Sequence, residues 1–209
     1  GTGALGDIGA HIIDMTQFVT GQSVDAVSGT MDTIVTERPL QEAGSRSRGS
    51  AAERYGQVTV DDVAIFTGRL SGGALVSFEA TRFATGRKNG LTIEVSGELG
   101  ALAFDLEDLN TLMFYDRTVP AELQGFTRIV VTEAQHPYVA GWWPAGHMLG
   151  YEHAFSHQVV DFVSAITEGN DPRPSFADGL SVQRVLDAVE RSSEVDSAWT
   201  RTGARTAAV

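Results

Sequence analysis

The sequence predicts an α+β fold: a large, mainly antiparallel β-sheet with one face open and helices packed on the other. Three observations carry that reading. Apolar residues recur with a helical period near both ends of the chain and with a period of two between them. Roughly seven strand-like runs follow one another through turns too short to hold crossover helices, so neighbouring strands should run antiparallel. The order of one helix, many strands and two closing helices then puts the helices on one side of the sheet.

The first helix lies in "GALGDIGAHIIDMTQFVTG" (3–21), where Ile8, Ile12, Met15 and Val19 form one apolar stripe and Gly21 sits at the expected stop. "SVDAVSGTMDTIVTE" follows as a strand with Val27, Met31 and Val35 on one face. Residues 38–57 include Arg38, Arg46, Arg48 and Arg54 and show no apolar periodicity; they read as a flexible surface loop. "VDDVAIFTGRL" and "ALVSFEATRF" form a hairpin about Gly72-Gly73. "LTIEVSG", "ALAFDL", "TLMFYD" and "TRIVVTE" complete the strands. After the loop "HPYVAGWWPAGHMLG" (136–150), a helix runs from about Tyr151 to Glu168 with Phe155, Val159, Phe162, Val163 and Ile166 on one face. The last helix carries Val182, Val185, Leu186 and Val189, with Asp178 as its predicted N-cap.

Composition narrows the function. The chain has 209 residues, 42% of them hydrophobic and 20% charged, enough to bury a sizeable core in a single domain spanning 1–209. A net charge of −12 repels a phosphate backbone, so no nucleic-acid partner is expected. No run approaches the ~20 apolar residues of a membrane span, so no membrane partner is expected either. The lack of cysteine rules out disulfides, thiolate metal sites and a cysteine nucleophile, and suits a cytoplasmic location. If the open sheet face is apolar, it should pair with a second copy of the chain.

Chemistry concentrates at Asp7, His11 and Asp14, spaced i, i+4 and i+7. At about 100° per residue they fall within roughly 60° of one another. A carboxylate one turn from an imidazole can fix its tautomer and stabilise its cation, leaving the other ring nitrogen to move a proton. Spacing leaves a second reading open, in which Asp7 caps the helix, His11 is partly buried and Asp14 is solvated. A metal site would need three or four converging ligands and is not expected. His153, His157 and Asp161 point away from the Phe155 stripe and should face solvent. Trp142, Trp143 and His147 lie in a Gly/Pro loop, where aromatic faces beside a few polar groups suit a sugar or polyol. Arg82 is a further candidate to hold a hydroxyl or an acid. "GTGALG" (1–6) has the spacing of a glycine-rich G-x-G-x-x-G loop, but no strand precedes it, so it is a weak signal for a dinucleotide; there is no P-loop or G-x-S-x-G.

"GALGDIGAHIIDMTQFVTG", "VDDVAIFTGRLSGGALVSFEATR", "LTIEVSGELGALAFDLEDLNTLMFY", "GYEHAFSHQVVDFVSAI" and "PSFADGLSVQRVLDAVERSSEVDSAW" together resemble the C-terminal domain of the Gfo/Idh/MocA oxidoreductases, the glucose–fructose oxidoreductase and inositol dehydrogenase family. The resemblance implies a dihydrodipicolinate-reductase-like substrate-binding and oligomerisation domain whose sheet builds homodimers or homotetramers. It implies catalysis by His11 with Asp7 as partner; Trp143, His147 and Arg82 are expected substrate contacts on the residue reading alone, where buried tryptophan plugs and a plain surface arginine are the alternatives. The resemblance also implies NAD or NADP as the hydride carrier for a sugar or polyol, bound mainly by an N-terminal Rossmann domain. The family's Rossmann glycines and Glu-Lys-Pro lysine have no counterpart here; Lys88, the only lysine, sits in the turn "GRKNG". The chain therefore reads as the substrate half of a two-domain enzyme, inactive alone and without tightly bound cofactor. The alternatives are a non-catalytic assembly domain and a metal-dependent sugar isomerase or hydrolase using Asp7, His11 and Asp14.

Overall fold

The computed structural model describes residues 3–40 and 54–203 and shows an α+β protein built of antiparallel sheets and few helices. The chain divides into two compact units. The first comprises Gly1–Thr85 with Phe176–Val209, and the second Gly86–Ser175.

In the first unit, a π-helical turn (Leu5–Gly9) runs into helix α1 (Ala10–Thr20), and α1 is followed by strand β1 (Val24–Asp32). A two-stranded ribbon, β2 (Glu37–Pro39) with β3 (Tyr55–Gln57), precedes the hairpin of β4 (Val63–Leu70) and β5 (Leu75–Thr81). Helix α3 (Phe176–Glu194) and the short strand β10 (Thr200–Arg201) close the unit, with sheet order β10-β1-β4-β5, all antiparallel. The expected hairpin is present, with Gly73 at φ +90°, a conformation that favours glycine. Helix α1 stops at Gly21, which is left-handed (φ 65°) and donates its N–H to Gln17 O.

The core forms where α1 and α3 cover one face of this sheet: Leu5, Ile13, Val24, Val27, Phe66, Phe78, Val182, Val185 and Val189 are buried together. Phe66 and Phe78 are a cross-strand pair with rings stacked at 4.6 Å. Hydroxyls fasten α3 to β1. Ser192 accepts from Gly29 N and donates to Ala198 O, while Ser193 accepts from Met31 N.

Several expectations need correction here. The buried stripe at the start of the chain is Leu5, Gly9, Ile13 and Thr16, whereas Ile8 and Val19 are exposed. Thr16 is accommodated because its hydroxyl bonds back to Ile12 O at 2.8 Å, so no polar atom is buried unpaired. Val35 lies beyond the end of β1. Asp178 sits in the first turn of α3, which begins at Phe176; a carboxylate there complements the helix dipole without being the cap. The proposed loop 38–57 has paired strands at both ends, joined also by Leu40 N to Arg54 O at 2.9 Å, and its centre, 41–53, lies outside the described residues.

In the second unit, β6 (Thr92–Ser96), β7 (Gly100–Asp105), β8 (Thr111–Asp116) and β9 (Phe126–Val130) form an antiparallel meander, followed by helix α2 (Tyr151–Glu168). The strands predicted as one large sheet are thus shared between two four-stranded sheets and a ribbon. Among the described residues no helix is long and apolar enough to cross a membrane.

Candidate active site

The segment that carries Asp7 and His11 is held from outside. Ala4 N–H donates to Asp61 O at 3.0 Å and Leu5 N–H to Asp61 Oδ2 at 2.7 Å, so the buried Asp61, not Asp7, satisfies the first donors of the helix. Asp7 is left exposed on the π-helical turn, and His11 is exposed one turn on, in α1. Wide π turns inside α-helices are rare and concentrate at functional sites. The geometry removes two parts of the competing reading: Asp7 is not the cap and His11 is not buried. Asp14 is half-buried. Among the described residues no three His, Asp or Glu side chains converge as a metal-holding group, so Asp7, His11 and Asp14 do not form a ligand set.

Arg82, just after β5, faces the carboxylate of Asp62, with Nη1 at 3.9 Å from Oδ1. Asp62 is fully buried and also takes Val35 N–H at 2.8 Å and Arg38 Nη2 at 2.9 Å. The Val35 amide, and then the Arg38 guanidinium, hold its carboxyl below the usual value against the opposing effect of burial. Asp61 and Asp62, adjacent before β4, thereby anchor the start of the His11 helix and Arg82 respectively. Sequence reading missed both. The signal was a pair of carboxylates directly ahead of a strand whose alternate residues are apolar.

Trp143 and His147 belong to the second unit. His147 Nδ1 lies 2.8 Å from Pro144 O; donation there leaves Nε2 with the free lone pair. Trp143 is exposed. The loop that bears them is tied to α2 by the residues expected to face solvent. Trp142 Nε1–H donates to His157 Nε2 at 2.7 Å, Tyr138 stacks on His157 at 4.2 Å, and the Tyr138 hydroxyl donates to Asp161 at 2.7 Å. That bond raises the Tyr138 phenol above its ordinary value, with burial adding to the effect. His153 Nδ1 accepts Gly150 N–H at 3.0 Å, and Trp142 meets its ring edge-on. His153, His157 and Asp161 are therefore half-buried loop anchors, whereas the Phe155, Val159 and Phe162 stripe is exposed.

Residues 1–103 match the family model described as the GFO/IDH/MocA C-terminal domain. The chain is 38% identical over 201 residues to levoglucosan dehydrogenase of Pseudarthrobacter phenanthrenivorans, covering 94% of this chain and 51% of that protein. It belongs to the Gfo/Idh/MocA family. Among solved structures, this Gfo/Idh/MocA domain superposes with a TM-score of 0.89 on an oxidoreductase domain protein from Kribbella flavida, at 60% identity over 97% of this chain and 52% of that one. A levoglucosan dehydrogenase complexed with NADH and L-sorbose gives a TM-score of 0.87 at 35% identity, over 97% and 51% of the respective chains. The chain thus spans about half the length of the relatives it matches.

Proposed function

We propose that this chain is the substrate-binding and oligomerisation domain of an NAD(P)-dependent dehydrogenase acting on a sugar or polyol in the cytoplasm, and that it is inactive alone. The observation that carries the reading is the exposed Asp7–His11 pair, one turn apart on a helix whose first amides are held by Asp61. His11 takes the proton from the substrate hydroxyl as its carbon is oxidised, and Asp7 stabilises the imidazolium that forms. Trp143 offers an aromatic face to sugar C–H groups, His147 Nε2 accepts a hydroxyl, and Arg82 contributes a donor.

The described residues do not fit a dinucleotide cradle. Gly6 and Gly9 lie within the π-helical turn, with Gly9 packed close to Ala80, and are not the loop of a strand-to-helix turn. The nicotinamide, which would accept the hydride, is assigned to a separate Rossmann domain, as suits relatives twice as long. In the full-length protein, with levoglucosan or a polyol as substrate, His11→Ala should lower kcat by about a hundredfold or more, the usual worth of a positioned acid–base group. A loss smaller than tenfold would refute the assignment.

Self-association through the second unit is the other part of the proposal. Cross-strand register places Ile93, Val95, Leu102, Phe104, Leu112, Phe114 and Ile129 on one face of the meander, none of them fully buried. An apolar cleft of about 600 Å³, lined by Val95, Leu99, Leu102 and Phe114, opens at its edge. Such a face suits a second copy of the chain.

A further inference from the structure

Asp61 is a costly residue to bury merely to finish a helix. Its side chain is almost fully buried, and among the described residues no lysine or arginine pairs with it. Its partners are the Leu5 amide on Oδ2 and, through its own carbonyl, the Ala4 amide. A charged acceptor on the positive end of a helix is favoured more than a neutral one. The contact is also close: any side chain on Gly3 would collide with the Asp61 carboxylate, so the chain reaches this position only as glycine. Further along, a Cβ on Gly9 would lie 3.4 Å from that of Ala80, leaving little room for the helix to slide across β5. The helix is thus fixed at its first amides by Asp61 and, at Gly9, by β5. The π-helical turn bearing Asp7 lies between these fixed points.

We infer that Asp61 is a positioning residue for the reaction: it sets the rotation and axial position of the π-helical turn, and so the aim of Asp7 and His11 at the substrate. The inference rests on the proposed roles of Asp7 and His11. It adds that the buried acid ahead of β4, which touches no substrate, controls how well that pair is placed. Its neighbour Asp62 acts in parallel on Arg82, whose N–H donates to Asp62 O at 3.0 Å.

The test is a double-mutant cycle in the full-length protein, with Asp61→Ala made in the parent and in the His11→Ala background. Misplacement of a reacting group by an ångström can cost on the order of a hundredfold. Asp61→Ala in the parent should accordingly lower kcat by about tenfold or more and leave the KM for the dinucleotide unchanged. In the His11→Ala background the same change should cost almost nothing further, because the group it positions has gone. A loss that only reflected a weakened fold would appear equally in both backgrounds, and that outcome, or an unchanged kcat, overturns the inference while leaving His11 in its role. A silent His11→Ala would sink the proposed function and this inference with it. If Asp61→Ala does not fold, Asp61→Asn, which keeps an acceptor for Leu5 N–H, enters the same cycle with a smaller expected loss and the same readings.

Discussion

Glu107 shows how a single carboxylate can organise a turn. It accepts the amides of Lys88 at 2.6 Å and Asn89 at 3.0 Å, and the Arg87 guanidinium at 3.0 Å, so the "GRKNG" segment wraps around one side chain. The two amides first, and then Arg87, lower its pKa from 4.5 to about 2. The folded state therefore binds this proton less readily than the unfolded chain does. The contribution to stability is complete above pH 4.5 and disappears as the pH falls towards 2. Glu107→Gln should flatten the fall in unfolding midpoint across that window, and an acid profile identical to the parent's would show that the carboxylate contributes nothing. The same turn accounts for Lys88: its backbone amide is committed to Glu107, consistent with a structural place in the turn. Asp61 and Asp62 differ from Glu107 in being buried, and their value lies in what they hold still.

At the scale of elements, the aromatic loop and α2 form one device. Trp142, His153, His157, Tyr138 and Asp161 connect them through two hydrogen bonds and ring contacts. Trp142→Phe keeps a ring against His153 and removes the N–H to His157. A bond of this kind contributes about 0.5–1.5 kcal/mol, so amide exchange in 138–150 should quicken by roughly two- to tenfold. Unchanged exchange would mean that stacking alone anchors the loop. The loop was legible in sequence as a binding element, because tryptophans in a Gly/Pro segment need cover. Its anchors were not, because a helical wheel ranks His153 and Asp161 as solvent-facing until something packs over them. Helix α1 gives the same lesson. Its period was correct, but the face turned to the core is that of Leu5, Gly9 and Ile13, with Gly9 packed close to Ala80, and not that of Ile8 and Val19.

For the whole molecule, the two sheets present different surfaces. The uncovered face of the first carries Thr30, Thr67, Ser77 and Glu79 among a few apolar residues, whereas the second aligns an apolar row. The proposed self-association therefore belongs to the second sheet. Phe114→Glu should shift the chain to a smaller species by light scattering, and an unchanged mass with the fold retained would count against that interface. By itself the sequence determined the α+β class, the antiparallel pairing, the Gly73 hairpin, the extent of α2 and the Asp7–His11 spacing, because each follows from local periodicity or turn chemistry. Only the tertiary structure decided which stripe of α1 is buried, how the strands divide between two sheets, and that Asp61 rather than Asp7 holds the helix start. Those outcomes depend on contacts between residues far apart in the chain, such as Leu5 with Asp61, and no periodicity along the sequence encodes such a contact.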